Sequence, residues 1–138
     1  MGTRCQIIVE GNEAAKVYKH WDGYPDGVIP VLQELLPPFS DDRGEDSEYL
    51  VARIVDAFCS QQRRHRNDQI TPCFTGYGVS NIWHDDIEYL YLITTDYQLV
   101  VYKPGQHPID GKPETYGTEI MRFTLQQLRD KAPIPKED

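Results

Sequence analysis

The sequence predicts an α+β fold: a mostly antiparallel β-sheet of about four to six strands, two main helices packed on one face and a short C-terminal helix. Three observations predict it. Residues 48–64 repeat apolar side chains at helical spacing, with Leu50, Val51, Ile54, Val55 and Phe58 in one stripe and Arg53, Asp56 and Ser60 facing away. The segments RCQIIVE, IEYLYLIT and LVVYK carry the β-branched and aromatic residues of strands. These strands follow one another across short turns instead of alternating one for one with helices, which favours hairpin pairing.

Taken in order, residues 4–10 place Cys5, Ile7 and Val9 on one strand face. Gly11-Asn12-Glu13 turns the chain, and Ala15 to Trp21 returns beside it, with Val17 and Trp21 assigned inward and Lys19 near an edge. After two Asp-Gly steps, VIPVLQELL sets Val28, Val31, Leu32, Leu35 and Leu36 at helical spacing. Asp26 is available as its cap, and Pro30 is tolerable near its start. Pro37-Pro38 is expected to stop this helix, because the residue before a proline is pushed out of the α region. SDDRGEDSE then reads as an acidic loop. The second helix runs from about Glu48 to Arg64, with Asp46 or Ser47 as N-cap.

Beyond it, Ile70 to Phe74 and Val79 to Trp83 are candidate short strands in a turn-rich stretch. IEYLYLIT is apolar on both faces and belongs in the middle of the sheet. Residues 95–98 turn the chain into LVVYK, its hairpin partner. Residues 103–118 hold three prolines and three glycines and form a long loop. EIMRF is the last strand, and Thr124 to Gln127 has the spacing of a capping box for a helix ending near Lys131. The organisation expected is one domain over residues 1–132 and a flexible tail over 133–138.

Composition narrows the function classes. A chain of 138 residues buries about two-thirds of its unfolded surface. With 39% hydrophobic and 26% charged residues, it has the balance of a soluble globular protein. No window approaches the ~18 apolar residues of a membrane span. The apolar core near the N-terminus is too short for a signal peptide, and Gln6 stands where a myristoylation signal needs Ser or Thr. A cytoplasmic location is expected. Cys5, Cys59 and Cys73 form no C-x-x-C pair and read as reduced thiols. Twenty-two acids against 14 bases give a net charge of −8, a field that repels phosphate backbones and disfavours general nucleic-acid binding. The run Arg63-Arg64-His65-Arg66 sits where the second helix ends and complements its dipole.

Two loop clusters carry the chemistry. YKHWDGYPDG offers His20, Trp21, Asp22, Tyr24 and Asp26; TGYGVSNIWHDDIEY offers Tyr77, Trp83, His84, Asp85, Asp86 and Glu88. Each borders a strand, where loops commonly carry function. Exposed Trp and Tyr are stacking platforms and interface anchors, and glycines flanking Tyr77 allow close approach. The candidate ligand-binding set is His20, Trp21, Asp22, Tyr24, Tyr77, Trp83, His84 and Asp85. The same aromatics serve equally to plug the ends of a core. Imidazoles and carboxylates also suit Zn, Mn or Fe, although no H-E-x-x-H or EF-hand spacing fixes a geometry. No nucleophile elbow is present, and TGYG precedes a strand instead of a helix, which rejects a dinucleotide loop.

The strings MGTRC, HWDGYPDG and TGYGVS followed by HDDIEYLYLI resemble a group of small uncharacterised bacterial and phage proteins. The resemblance covers roughly residues 1–36 and 72–102 and implies a prokaryotic or phage cytosolic origin, with no role for any residue.

The leading expectation is a non-catalytic binding or regulatory module that holds a small ligand or protein partner on the two rims, with no cofactor. The alternative is a metal-assisted hydrolase or nuclease using His20, Asp22, His84 and Asp85 or Asp86. A third is an acidic decoy that imitates nucleic acid. Unblunted edge strands are also compatible with a homodimer.

Overall fold

A computed structural model describes residues 3–65 and 76–137. Its elements run β1 (Cys5–Val9), β2 (Lys16–Lys19), α1 (Pro25–Arg43), α2 (Ser47–His65), β3 (Tyr77–Ser80), β4 (Tyr89–Ile93), β5 (Leu99–Lys103), β6 (Thr118–Phe123) and α3 (Leu125–Arg129). The strands form a six-stranded sheet in the order β3-β2-β1-β4-β5-β6. All neighbours are antiparallel except β1 and β4, which run parallel with Cys5 opposite Tyr89 and Val9 opposite Ile93. The α+β class and mostly antiparallel sheet are those the sequence predicts. The parallel pair is an addition that hairpin reasoning does not reach.

One sheet face carries Ile7, Val17, Tyr91 and Val101 against Leu32 of α1 and Phe58 of α2, all buried in the main core. The other face holds a smaller cluster of Ile8, Ile87, Leu90 and Tyr116, with Trp83 and Tyr102 packed against it. β4 is therefore covered on both sides, as its two-sided apolar sequence requires.

The second face is covered because the chain leaves β3 at one edge and must enter β4 beyond β1. Residues 81–88 make that crossing. Gln6, fully buried in β1, clamps them: its Nε2 donates to the Ile82 carbonyl at 3.0 Å, and its Oε1 accepts from the His84 amide at 3.1 Å. The Glu88 amide then donates to the Arg4 carbonyl at 2.8 Å, where β4 begins.

Several local expectations need correction. α1 does not stop at Pro37-Pro38; it runs to Arg43 with Pro30, Pro37 and Pro38 inside it. Each proline fits the helical φ and loses one backbone bond, and burial of Leu36 and Phe39 on either side outweighs that loss. Asp26 is not the cap: Tyr24 occupies the N-cap without a side-chain bond, Pro25 follows as the preset first residue, and Asp26 lies in the first turn. The acidic loop shrinks to residues 44–46, and Asp46 takes the capping role at α2, its Oδ1 accepting from the Tyr49 amide at 3.4 Å.

Lys19 is not at an edge. β3 pairs outside β2, so Lys19 lies under α2 at 4% exposure. Its ammonium donates to the Trp21 carbonyl at 2.7 Å and sits 5.1 Å and 5.2 Å from the ring centres of Phe58 and Tyr77. Burial pushes its pKa down, and the Cys5 and Asp22 charges oppose that. Trp21 lies beyond the end of β2 and is 37% exposed, not inward.

The capping box of α3 is present in both directions between Thr124 and Gln127. Residues 133–138 are expected as a flexible tail; two of them, Ile134 and Glu137, touch the fold, as does Ala132 just before them. Ile134 packs on the core, the Ala132 carbonyl accepts from Gln33 Nε2 at 3.0 Å, and Glu137 accepts from the Tyr89 hydroxyl. The candidate strand at 70–74, Cys73 and Arg66 lie outside the described residues, as do the side chains of Arg63, Arg64 and His65. Among the described residues, no helix is long and apolar enough to cross a membrane.

Candidate functional site

The crossing segment brings parts of the two predicted rims together. Tyr18, on the second face of β2, is the meeting point. The His84 ring, delivered by the segment that Gln6 holds, stacks on the Tyr18 ring with centroids 4.3 Å apart and planes 24° from parallel. On the other side, Tyr18 Oη and His20 Nδ1 share a hydrogen bond at 3.0 Å, whose proton sits on either atom according to the imidazole tautomer. Trp21 meets the His20 ring edge-on at 4.9 Å. A Cβ added at Gly76 would come within 2.6 Å of the Trp21 ring, so the absent side chain there gives the indole its seat. The His20 amide donates to the Gly76 carbonyl at 2.8 Å, tying the two loops.

Charge surrounds this aromatic group without filling it. Arg4 Nε lies 3.4 Å from Asp86 Oδ2, an ion pair that lacks hydrogen-bond geometry. Burial and the Asp86 carboxylate raise the Tyr18 hydroxyl above its ordinary value, against an opposing effect of Arg4. That direction moves the phenol away from neutral pH, the wrong way for a proton-transfer group. The arrangement offers stacking surface and hydrogen-bonding groups.

The other predicted residues sit elsewhere. Tyr77 points to the helix face and stacks on Phe58 at 5.9 Å, with burial pushing its hydroxyl up to about 12. Trp83 packs against Tyr116 at 5.8 Å under the Lys16 ammonium, which stands 4.5 Å from its ring centre. Each ring packs, partly buried, against one of the two apolar clusters. Asp22 and Tyr24 belong to the turn into α1. Asp22 has a positive φ of 56°, and its carboxylate raises the exposed Tyr24 hydroxyl. Asp85 is exposed on the crossing segment.

The turn itself is rigidly built. The Gly23 amide donates to the Thr3 carbonyl at 2.8 Å, and the Gly23 carbonyl accepts from the buried Tyr91 hydroxyl at 2.7 Å. A Cβ at Gly27 would stand 2.2 Å from the Asp22 carbonyl oxygen.

Arg4, Gln6 and Tyr18 were missed by sequence reasoning. Gln6 had a legible signal, a lone amide inside the apolar run CQIIV, because a buried amide must find partners. Tyr18 had none, since its partners depend on the crossing. Among the described residues, no three His, Cys, Asp or Glu side chains are grouped so as to hold a metal ion. The alternative reading therefore has no ligand set there. The described cavities are lined by other residues than these eight. No protein-family model, no curated protein and no solved structure matches this chain.

Proposed function

We propose that this chain is a non-catalytic binding module that docks a protein partner on the surface formed by Tyr18, His20, Trp21 and His84. The observation that supports this reading is the continuity of four rings drawn from β2, the turn that follows it and the distant crossing segment, with Trp21 exposed at its rim. A half-exposed indole seated on a backbone glycine loses little conformational freedom when covered, which suits an interface anchor. Between the two occupants the sequence left open, the protein is favoured over the small molecule, because Trp21 is exposed at the rim of the ring surface and tryptophan is the residue type most enriched among interface anchors.

The test is site-specific photo-crosslinking in the source cells, with p-benzoylphenylalanine in place of Trp21 and, as control, of the exposed Gln126 on α3. An adduct of defined mass at position 21, absent at 126 and lost on adding His84→Ala, supports the module. The same adducts from both positions would refute it.

A further inference from the structure

We propose that the outer groove between α1 and α2 is a second docking site, shaped for a cationic amphipathic helix of a partner protein. It involves none of the residues of the ring surface. α1 presents Val31, Glu34, Leu35, Pro38, Phe39 and Asp42 along one side, at helical spacings of three and four. α2 presents Tyr49, Arg53, Ala57 and Ser60 along the other. Two cavities of about 460 Å³ and 210 Å³ share Glu34 and Leu35, so the groove is continuous. From Val31 to Arg43 it is about 18 Å long at the helical rise, the length of about three helical turns. Its floor is apolar, made by half-buried Val31, Leu35 and Ala57 with Phe39 beneath. A third helix laid on two others is a standard way to bury such a floor.

Charge selects the occupant. The two arginines of the groove are already engaged. Arg43 donates to Asp46 at 2.9 Å and lies 4.0 Å over the Tyr49 ring, and Arg53 pairs with Asp56 at 3.3 Å. The acids are not so matched: Glu34 is 3.9 Å from Lys131 with both side chains well exposed, and Asp42 has no charge partner among the described residues. Asp42 thus remains without a charge partner and Glu34 only loosely paired on the α1 rim, in a chain of net charge −8. Pro37 and Pro38 add a further feature. Lacking N–H groups, they leave two carbonyls without their i+4 donors, that of Gln33, a buried residue, and that of Glu34, which lines the groove. Lys and Arg side chains supply what such a rim wants: positive charge and several N–H donors.

The probe is a fluorescein-labelled helical peptide of about 14 residues, with Leu at one face and Lys at the other, followed by anisotropy on the full chain. A matched peptide carries Glu for every Lys. The expected result is micromolar binding of the Leu/Lys peptide alone, weakened by salt and at least about tenfold weaker for Glu34→Lys/Asp42→Lys. Leu35→Asp should weaken it as much, while Trp21→Ala leaves it unchanged. Because Glu34 and Asp42 are exposed, the charge-reversed variant tests the site even where Leu35→Asp fails to fold. Undiminished binding to that variant, or equal binding of the Leu/Glu peptide, would overturn the proposal. So would a dimer of the wild-type chain that the charge reversal dissolves, since the groove would then belong to a second copy.

Discussion

Cys5 lies opposite Lys19 across the β1–β2 pair, fully buried, and burial pushes its thiol from 9.0 up to about 12. The Lys19 ammonium opposes this more weakly. An acid whose folded pKa is raised stabilises the protein fully below its unfolded pKa and loses that contribution as pH climbs towards the folded value. For Cys5 the window runs from 9.0 to about 12. Between about pH 8 and pH 11, ionisation of the thiol in the unfolded chain should remove about 3 kcal/mol of stability. Cys5→Ala deletes the titrating group at a packing cost of about 1 kcal/mol. Urea unfolding of both proteins should therefore find wild type the more stable near pH 8 and the variant the more stable near pH 11. Tyr89, raised to about 12 mainly by burial, weakens the two proteins alike and cancels in the difference, as does the burial of Tyr77; the smaller effect of the Cys5 charge on Tyr77 is removed with the thiol. A difference that stays constant within about 0.5 kcal/mol across the range would refute the argument, because the thiol would then be no harder to ionise folded than unfolded.

Three further outcomes follow from named contacts. Tyr91→Phe strips the donor from the buried Gly23 carbonyl and should cost about 1–3 kcal/mol in denaturant unfolding, with no change in far-UV circular dichroism. Gly27→Ala, a change that favours an ordinary helix, should instead destabilise by about 1–3 kcal/mol, because the new Cβ meets the Asp22 carbonyl; a rise in melting temperature would contradict the geometry. Thr124→Ala removes the half of the α3 capping box in which its Oγ1 accepts from the Gln127 amide and should cost about 1 kcal/mol, whereas the exposed Gln126→Ala should change melting little.

What the sequence made legible was local. The stripe of α2, the two-sided β4 and the Thr124–Gln127 box each depend on residues within a few positions of one another, so spacing alone identifies them. The Pro37-Pro38 stop failed because the reasoning weighed a backbone bond without the burial of Leu36 and Phe39 that competes with it. Lys19 was misplaced because a lysine in a short strand reads as an edge until a distant strand is known to pair outside it. The candidate site shows the same boundary. His20, Trp21 and His84 were visible as chemistry, but their convergence on Tyr18 depends on a crossing segment pinned by Gln6, and Tyr77 and Trp83 were drawn from that crossing to opposite faces of the sheet.

The parallel pairing of β1 with β4 also bears on how the chain folds. It divides the sheet into two antiparallel halves, of which β4-β5-β6 is continuous in sequence and closes through two neighbouring connections. The seam between the halves joins Cys5 to Tyr89 and Val9 to Ile93, across both long helices. Closing so long a loop costs entropy before any contact is gained, so the slow step belongs to the seam and to the β2–β3 pairing, which also spans both helices, and not to β4-β5-β6. Ile8, buried in β1 and paired with Leu92 across that seam, is the residue whose shortening should reach furthest into the folding rate.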